Sequence, residues 1–465
     1  MPEQAHSVQE KAIRINLEAR KYGVFAEIGA GQEVVRWFFH AGKASSTVAE
    51  SISAYDMAIS DGLYGHAAHY VSRERLNAML DREFGQLQAG LAKTRRDGAA
   101  LFVFADTVAT HTSSRAQAGH GWLGVRFQDR PGAEPSDAIV HLEMLDTQTA
   151  GQQETVGLMG VNLLYGAFFF ADDPNRLVSS LMDGLNRRRV EVDMIKLSGP
   201  AFAAVDNRLL SLQLVEQALT DAAMFRADGE VVQPSEVLEK QPVLIERGSF
   251  RPVTNVTFDM LDRARRQLAA GAASAAPEPV VLMEMTLNNL MAAAGIDDQD
   301  FLARVDILGA LSQTVMISNY TRFDQVTSYL RHYTQERVAM VLGMPLLREI
   351  FDEKYYADLD GGILEGLGRL FKGPVKLFVH PTVDPETGQL LTADKVEVKR
   401  QLSHLYAYVF ENGCVEPIRE FDYRQLHVTP ADVLRKIQQG EPGWQDLVPP
   451  QAAALIARKK LFGYK

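Results

Sequence analysis

Residues 22–56, YGVFAEIGAGQEVVRWFFHAGKASSTVAESISAYD, hold the pattern that decides the fold at this end of the chain. An apolar strand, Val24–Ala26, runs into a glycine turn, Glu27–Gly31, and helical spacing of apolar residues begins near Gln32. A strand that ends in such a turn and feeds a helix directs backbone N–H groups outward, with the positive end of the helix dipole behind them. The stretch therefore predicts a strand–turn–helix unit of an α/β fold.

The same turn is a candidate anion site, formed by Gly29, Gly31 and Gln32. Its pattern is incomplete, because Val34 stands where the third glycine of G-x-G-x-x-G would fall. Two interpretations stay open at this point. The turn either holds a phosphate or carboxylate of a ligand, or it is a tight turn that binds nothing.

Length and composition indicate a large globular protein. The 465 residues include 46% hydrophobic and 23% charged residues, and a chain of this length is expected to form more than one domain. The net charge of −11 disfavours binding to nucleic acid, because like charges repel. The single cysteine, Cys414, together with an N-terminus that lacks the signal-peptide pattern, predicts a cytoplasmic protein without a membrane partner. Self-association is compatible with these features.

The order of predicted elements indicates two α/β lobes with mixed and parallel sheets flanked by helices. Three strands, Leu101–Phe104, Leu123–Phe127 and Ile139–Met144, follow one another without a long helix, which favours an antiparallel or mixed sheet. After residue 280, strands and helices alternate as in parallel βαβ units. Small residues and prolines at 271–279 predict a linker between an N-terminal domain, 1–270, and a C-terminal domain, 280–465.

Polar residues that follow predicted strands are the candidate ligand-binding groups, since ligands of α/β sheets bind beyond the carboxyl ends of parallel strands. Lys196 at a strand end could meet a phosphate as a point charge. We expect the glycine turn, Asp106 and residues 206–208 to converge in one cleft for a small anionic metabolite or nucleotide. The remaining candidates are Asp206, Asn207, Arg208, Arg247 and Arg251.

Three residues are candidates for catalysis. Glu27 lies in an otherwise apolar strand, and Asp106 follows another one, so each is a candidate for a placed carboxylate. His120 is a candidate for proton transfer, and with Asp106 it would offer two metal ligands. Helix capping is the alternative role for Glu27 and Asp106, and a hydrogen-bonded loop histidine for His120. The cofactor is left open, with Mg²⁺ accompanying a nucleotide as the candidate.

Five segments resemble a family of uncharacterised bacterial cytosolic proteins whose members are often labelled nicotinate-nucleotide adenylyltransferase. They are FAEIGAGQE (25–33), SAYDMAISDGLYG (53–65), SGPAFAAVDNRLLSLQLV (198–215), PVLIERGSFRPVT (242–254) and EKYYADLDGGILEGLGRLF (353–371). The label implies an enzyme that acts on a nucleotide, with nucleotidyl transfer as the reaction. The counterpart of that activity's H-x-G-H motif is Gln117–His120, with glutamine in place of the first histidine.

Two further functions remain open. FAEIGAGQE looks like the first motif of S-adenosylmethionine-dependent methyltransferases, in which Asp56 would bind the ribose. A metabolite-sensing or scaffold protein without catalytic activity is the other. The scaffold differs from the two enzyme hypotheses because it would bind a metabolite without converting it.

Overall fold

A computed structural model describes residues 6–18, 20–94, 98–111, 119–270, 277–293, 295–384 and 387–465. The chain divides into two compact units, Met1–Thr220 and Asp221–Lys465. Both combine helices with mixed sheets, which confirms the predicted α/β class. No helix in the described ranges is both long and apolar enough to span a bilayer.

The first unit contains thirteen of the helices and strands in the described ranges. They are α1 (Val8–Asn16), β1 (Lys21–Gly29), α2 (Val34–Ala41), β2 (Val48–Ala54), α3 (Met57–Tyr64), α4 (Arg73–Thr94), β3 (Ala100–Ala109), β4 (Gly119–Phe127), β5 (Ser136–Met144), α5 (Thr149–Phe169), α6 (Pro174–Ser180), β6 (Val190–Ser198) and α7 (Asn207–Glu216).

The sheet of the first unit has the strand order β2-β1-β3-β4-β5-β6. Strands β1, β2 and β3 are parallel, whereas β4, β5 and β6 each run antiparallel to the preceding strand. The mixed sheet predicted from closely spaced strands is therefore present. Strand β6 therefore runs opposite to β1 and β3. Its carboxyl end lies at the same end of the sheet as the amino ends of those two strands.

Helices cover both faces of this sheet. One face carries the aromatic core of Phe25, Phe102 and Phe104, which α1, α2 and α5 bury. Helix α4 packs on the other face, where Leu76 and Leu80 lie against Gly124 of β4. Because successive side chains of a strand point to opposite faces, the register of β1 and β3 sets which residues can meet.

The second unit contains the remaining helices and strands of the described ranges. They are β7 (Ala222–Phe225), β8 (Val231–Val232), α8 (Ser235–Leu238), β9 (Val243–Arg247), α9 (Asn255–Ala270), β10 (Val280–Thr286), α10 (Leu287–Leu290), β11 (Met291–Ala292), β12 (Gly295–Ile296), α11 (Asp298–Ala310), β13 (Thr314–Ser318), α12 (Phe323–Tyr333), β14 (Val338–Gly343), α13 (Met344–Ile350), α14 (Gly362–Leu370), β15 (Val375–His380), β16 (Thr382–Val383), β17 (Leu390–Leu391), α15 (Ser403–Glu411), β18 (Val415–Pro417), α16 (Pro430–Gln439) and α17 (Pro450–Lys459).

The main sheet of the second unit has the order β18-β15-β14-β9-β10-β13-β7-β8. The six strands from β18 to β13 are parallel, as the alternation of strands and helices predicted. Along the chain, β9, β10 and β13 extend the sheet in one direction, and β14, β15 and β18 extend it in the other. The order thus reverses between β9 and β14, which is the topological switch point of a doubly wound sheet.

The division between the units falls at residues 220 and 221 rather than at 271–279. Strand β9 precedes the expected linker and β10 follows it, yet the two strands pair in parallel within one sheet. The segment between them is therefore a connection inside the second unit, and residues 271–276 of it lie outside the described ranges. Composition alone did not distinguish a βαβ connection from a domain boundary.

Packing of α5 against α2 and β3 predicts an effect of Gly160. A methyl group at this position would overlap Val34 and approach the Phe104 ring to 2.9 Å, so Gly160→Ala is expected to destabilise the protein by about 1–3 kcal/mol. Gly85→Ala in α4 meets no atom within 4 Å and is expected to stabilise it by up to about 1 kcal/mol. Denaturant unfolding of both variants measures the difference. Equal stabilities would contradict this packing.

Candidate functional site

The glycine turn lies directly above two buried carboxyl groups. Glu27 of β1 and Asp106 of β3 are in register on adjacent parallel strands, about 4.8 Å apart, and are 1% and 0% exposed. A Cβ atom at Gly31 would overlap the Asp106 carboxyl group, and one at Gly29 would overlap the carbonyl oxygen of Val108. Both glycines are thus required by the close approach of the turn to β3.

The first turn of α2 is already occupied by an anion of the chain itself. The backbone N–H groups of Val34 and Val35 donate to the two carboxylate oxygens of Glu27, at 2.8 and 3.2 Å. Glu27 thereby fills the position that the sequence assigned to a ligand phosphate. The capping role, one of the two alternatives for this residue, is the one that the structure shows. Gln32 is exposed and donates to the carbonyl oxygen of Gly29 at 3.2 Å.

Burial changes the protonation of the carboxyl pair. It raises the pKa of Glu27 to about 7 and raises the pKa of Asp106 well above its ordinary value, and the Glu27 carboxylate raises the pKa of Asp106 further. Glu27 receives two backbone hydrogen bonds, whereas neither Asp106 oxygen has a partner with hydrogen-bonding geometry among the described residues. Asp106 thus has fewer hydrogen bonds than Glu27 to stabilise its charged form.

His120 lies on the opposite face of the sheet from Asp106. Asp106 pairs with Leu123 of β4, so these two side chains share a face, and His120 is three residues away from Leu123. An odd separation along a strand places side chains on opposite faces. The predicted pairing of His120 with Asp106 around a metal is excluded by this geometry. No cluster of three or more potential metal ligands occurs in the described part of the chain.

His120 instead ends a chain of hydrogen bonds that crosses three strands. Its Nδ1 lies 3.2 Å from Nε2 of His141 on β5, and Nδ1 of His141 lies 2.6 Å from Oδ1 of Asp193 on β6. His141 and Asp193 are 2% and 3% exposed, and His120 is half-buried. The Trp122 ring packs 4.8 Å from the ring of His141. We call His120, His141 and Asp193 the histidine relay.

Sequence reasoning missed His141 and Asp193. Each is a polar residue within a predicted strand whose neighbours are mostly apolar, which is a signal of a buried polar contact. The partner of each residue depends on the register between β4, β5 and β6. That register was not contained in the sequence pattern.

The predicted cleft does not form, because the residues assigned to it lie at opposite ends of the strands of the sheet. β6 is antiparallel to β1 and β3, so the segment that follows Ser198 emerges at the edge where β3 begins. Asp206 caps α7 and binds Arg208, and Asn207 is hydrogen-bonded to both backbone groups of Leu197. These three residues therefore stabilise the β6–α7 connection. Lys196 lies on β6, four strands away from β1.

Asp56 is exposed beyond the end of β2 and caps α3 by accepting a hydrogen bond from the backbone N–H of Ile59 at 3.1 Å. Strand β2 does pair in parallel with β1, as a methyltransferase-like arrangement requires. However, Glu27 occupies the helix terminus that such a cofactor would approach.

The predicted arginines of the second unit are bound to carboxylates. Arg247 forms two hydrogen bonds of 2.9 Å with Glu284, which also accepts one from Ser318 at 2.6 Å. Arg251 lies 2.6 Å from Asp300. Both arginines thus form structural ion pairs.

Two polar groups at the carboxyl ends of this parallel sheet lack partners. Oε2 of Glu246 on β9 and Nε2 of His380 on β15 are buried and have no hydrogen-bond partner among the described residues. Burial raises the pKa of Glu246 well above its ordinary value and lowers the pKa of His380 to about 4. Unsatisfied buried groups are rare in proteins, so both mark a place where a ligand can supply the missing partner.

Comparisons with known proteins return distant structural neighbours. No protein-family model and no curated protein matches the chain. The solved structures that match include competence/damage-inducible protein CihA from Agrobacterium tumefaciens, with 16% identity, a TM-score of 0.25, and coverage of 37% of this chain and 96% of that chain. A competence-damaged protein (CinA) superfamily protein from Enterobacter cloacae has 11% identity, a TM-score of 0.25, and coverage of 36% and 98%. TM-scores this low assign no function to the chain.

Glu27 predicts a measurable pH dependence of stability. Its pKa is about 7 in the folded chain and about 4.5 when unfolded, so its contribution to stability is complete below pH 4.5 and is lost as the pH rises through 7. The free energy of unfolding of the wild type, minus that of Glu27→Gln, is therefore expected to fall by about 1–3 kcal/mol between pH 4.5 and 8. Urea unfolding across this range measures it. The exposed Glu18→Gln serves as control, and a difference that does not vary with pH would contradict the prediction.

Proposed function

We propose that the chain is a cytoplasmic enzyme acting on a nucleotide or another phosphorylated small metabolite, with His120 as its general base. The substrate class rests on the resemblance of five segments to the family that carries a nucleotide-dependent label. The chemistry rests on one observation, the histidine relay from Asp193 through His141 to His120. A buried carboxylate and a buried imidazole that position a third, accessible group are the arrangement that general-base catalysis requires.

The order of the relay fixes the proton positions. A carboxylate only accepts hydrogen bonds, so Asp193 requires a proton on Nδ1 of His141. Nε2 of neutral His141 is then an acceptor, and Nδ1 of His120 donates to it. This leaves the lone pair on Nε2 of His120, the atom that points away from the relay. His120 is thus held in the one tautomer that can accept a proton from a substrate.

Burial keeps this base unprotonated. Desolvation by burial lowers the pKa of His120 to about 4. At neutral pH the imidazole therefore has its lone pair available. In nucleotidyl transfer, Nε2 takes the proton from a hydroxyl group or water as that oxygen attacks the α-phosphorus of the nucleotide, and the bond from this phosphorus to the pyrophosphate leaving group breaks. His120 then gives the proton to the leaving group or to water, and its transient positive charge is stabilised through His141 by Asp193. A positioned base of this kind contributes about 10²- to 10⁴-fold to rate.

The proposal predicts that turnover depends on the relay. Thermal unfolding of the full chain with ATP and Mg²⁺, nicotinate mononucleotide, NAD and S-adenosylmethionine identifies ligands that stabilise the folded state. For a ligand that is also converted, His120→Gln is expected to lower kcat by at least about 100-fold with little change in binding. Asp193→Asn is also expected to lower kcat, because an amide no longer requires the Nδ1 proton on His141.

The exposed His404→Gln is the matched control and is expected to retain full activity. The wild-type kcat/KM should decline only as the pH falls towards about 4, where His120 becomes protonated. Unchanged turnover in His120→Gln would exclude the proposed base. Binding of a panel ligand without conversion would support the metabolite-sensing alternative.

A further inference from the structure

The unpartnered groups Glu246 and His380 lie on the same face of the second unit's sheet. Glu246 is in register with Val341 of β14, which in turn is in register with Phe378 of β15, and His380 lies two residues beyond Phe378. Residues in register on parallel strands, and residues two apart on a strand, share a face. The two Cα atoms are therefore two strands and two residues apart, which corresponds to about 12 Å.

Gly343 of β14 lies between them and places no side chain there. It is in register with His380, so a side chain at this position would point to the same face. Apart from its two neighbours in the chain, a Cβ atom at Gly343 would have one atom of the described residues within 4 Å, Cδ of Pro345 at 3.6 Å. The backbone is extended, with φ −87° and ψ 172°, a conformation that any residue adopts. Neither backbone strain nor packing requires glycine here.

Glu246 and Gly343 also lie where the strand order of the sheet reverses. Glu246 and Gly343 stand at the ends of β9 and β14, the two strands between which the strand order reverses. In doubly wound sheets, the crevice beyond the carboxyl ends at this point is where ligands bind. Two buried polar atoms without partners flank the open position over Gly343 at that crevice.

The charged groups near Glu246 and His380 are paired with one another, which favours an uncharged ligand. Asp259 of α9 approaches Nε2 of His380 to 3.9 Å, too far for a hydrogen bond, and is paired with Arg263 at 2.7 Å. Arg263 also faces Glu420 at 3.6 Å, so its charge is balanced. Burial favours the neutral form of both groups, because it raises the pKa of the Glu246 carboxyl group and lowers the pKa of the His380 imidazole. A phosphate would find no uncompensated cation among these groups.

We propose that the space over Gly343, between Glu246 and His380, is a binding site for an uncharged heterocycle of the nucleobase class. In its neutral form, which burial favours, the Glu246 carboxyl group offers a donor and an acceptor, and His380 offers one more of either kind. A nucleobase edge carries donors and acceptors side by side and satisfies both groups at once. Phe421, whose ring centroid lies 6.2 Å from that of His380, supplies an aromatic neighbour for the ring. This site is independent of the histidine relay, which belongs to the first unit.

Binding of nucleosides to the full chain tests the site. Adenosine, guanosine, cytidine and uridine are the probes, measured by calorimetry and by thermal unfolding, with ribose 5-phosphate and inorganic phosphate as probes of anion binding. At least one nucleoside is expected to bind, and neither phosphate probe is. Gly343→Ala is expected to weaken nucleoside binding at least tenfold while leaving the unliganded melting temperature unchanged, because its methyl group enters open space.

Two further variants separate this site from a general effect on the chain. Gly368→Ala in α14 also adds a methyl group where no atom lies within 4 Å, and it is expected to bind nucleosides like the wild type. His380→Ala removes one ligand partner and should weaken binding without affecting turnover by the relay. The proposal is overturned if no nucleoside binds, if inorganic phosphate binds as well as the nucleosides do, or if Gly343→Ala and His380→Ala both bind with wild-type affinity.

Discussion

The burial of two carboxyl groups side by side is the constraint on which the first unit depends. Glu27 and Asp106 are brought together because β1 and β3 are adjacent, parallel and in register. Two negative charges this close in an apolar environment are strongly unfavourable, so a proton must be retained by the pair. The helix α2 compensates for the remaining charge by directing the N–H groups of Val34 and Val35 at Glu27. The glycine turn is the connection that lets the helix begin so close to the strands.

This arrangement changes the interpretation of the glycine motif. Gly29 and Gly31 have the spacing of a phosphate-binding turn, but their lack of side chains serves the approach of the turn to β3 and Asp106. The electrostatic property that makes a helix terminus attractive to phosphate here stabilises an internal carboxylate. A short glycine motif thus has two physical uses, and the residue beneath it decides between them.

The directions of the strands decide which polar residues come together in each unit. In the first unit, three antiparallel steps place β6 and its polar connection at the far edge, and they bring His120, His141 and Asp193 into one line across the sheet. In the second unit, six parallel strands collect their carboxyl ends at one edge, where Glu246 and His380 are left without partners. Proton transfer is therefore the chemistry suggested by the first unit, and recognition of an uncharged ring is the chemistry suggested by the second.

Sequence patterns predicted the α/β class, the mixed sheet near Leu101–Met144 and the parallel alternation after residue 280, and the structure contains all three. These features follow from local periodicity and from the lengths of connections, which are properties of short segments. Sequence patterns also identified Glu27, Asp106 and His120 as unusual, since a polar residue within or next to an apolar strand stands out without any structure.

Only the tertiary structure decided which of these residues meet. Whether Asp106 and His120 share a face depends on the register of β3 with β4, and whether Asp206 approaches the glycine turn depends on the direction of β6. The position of the division between the units depends on the pairing of β9 with β10 across the expected linker. Register, direction and pairing arise from contacts between segments distant in the chain, and local patterns carry no record of them.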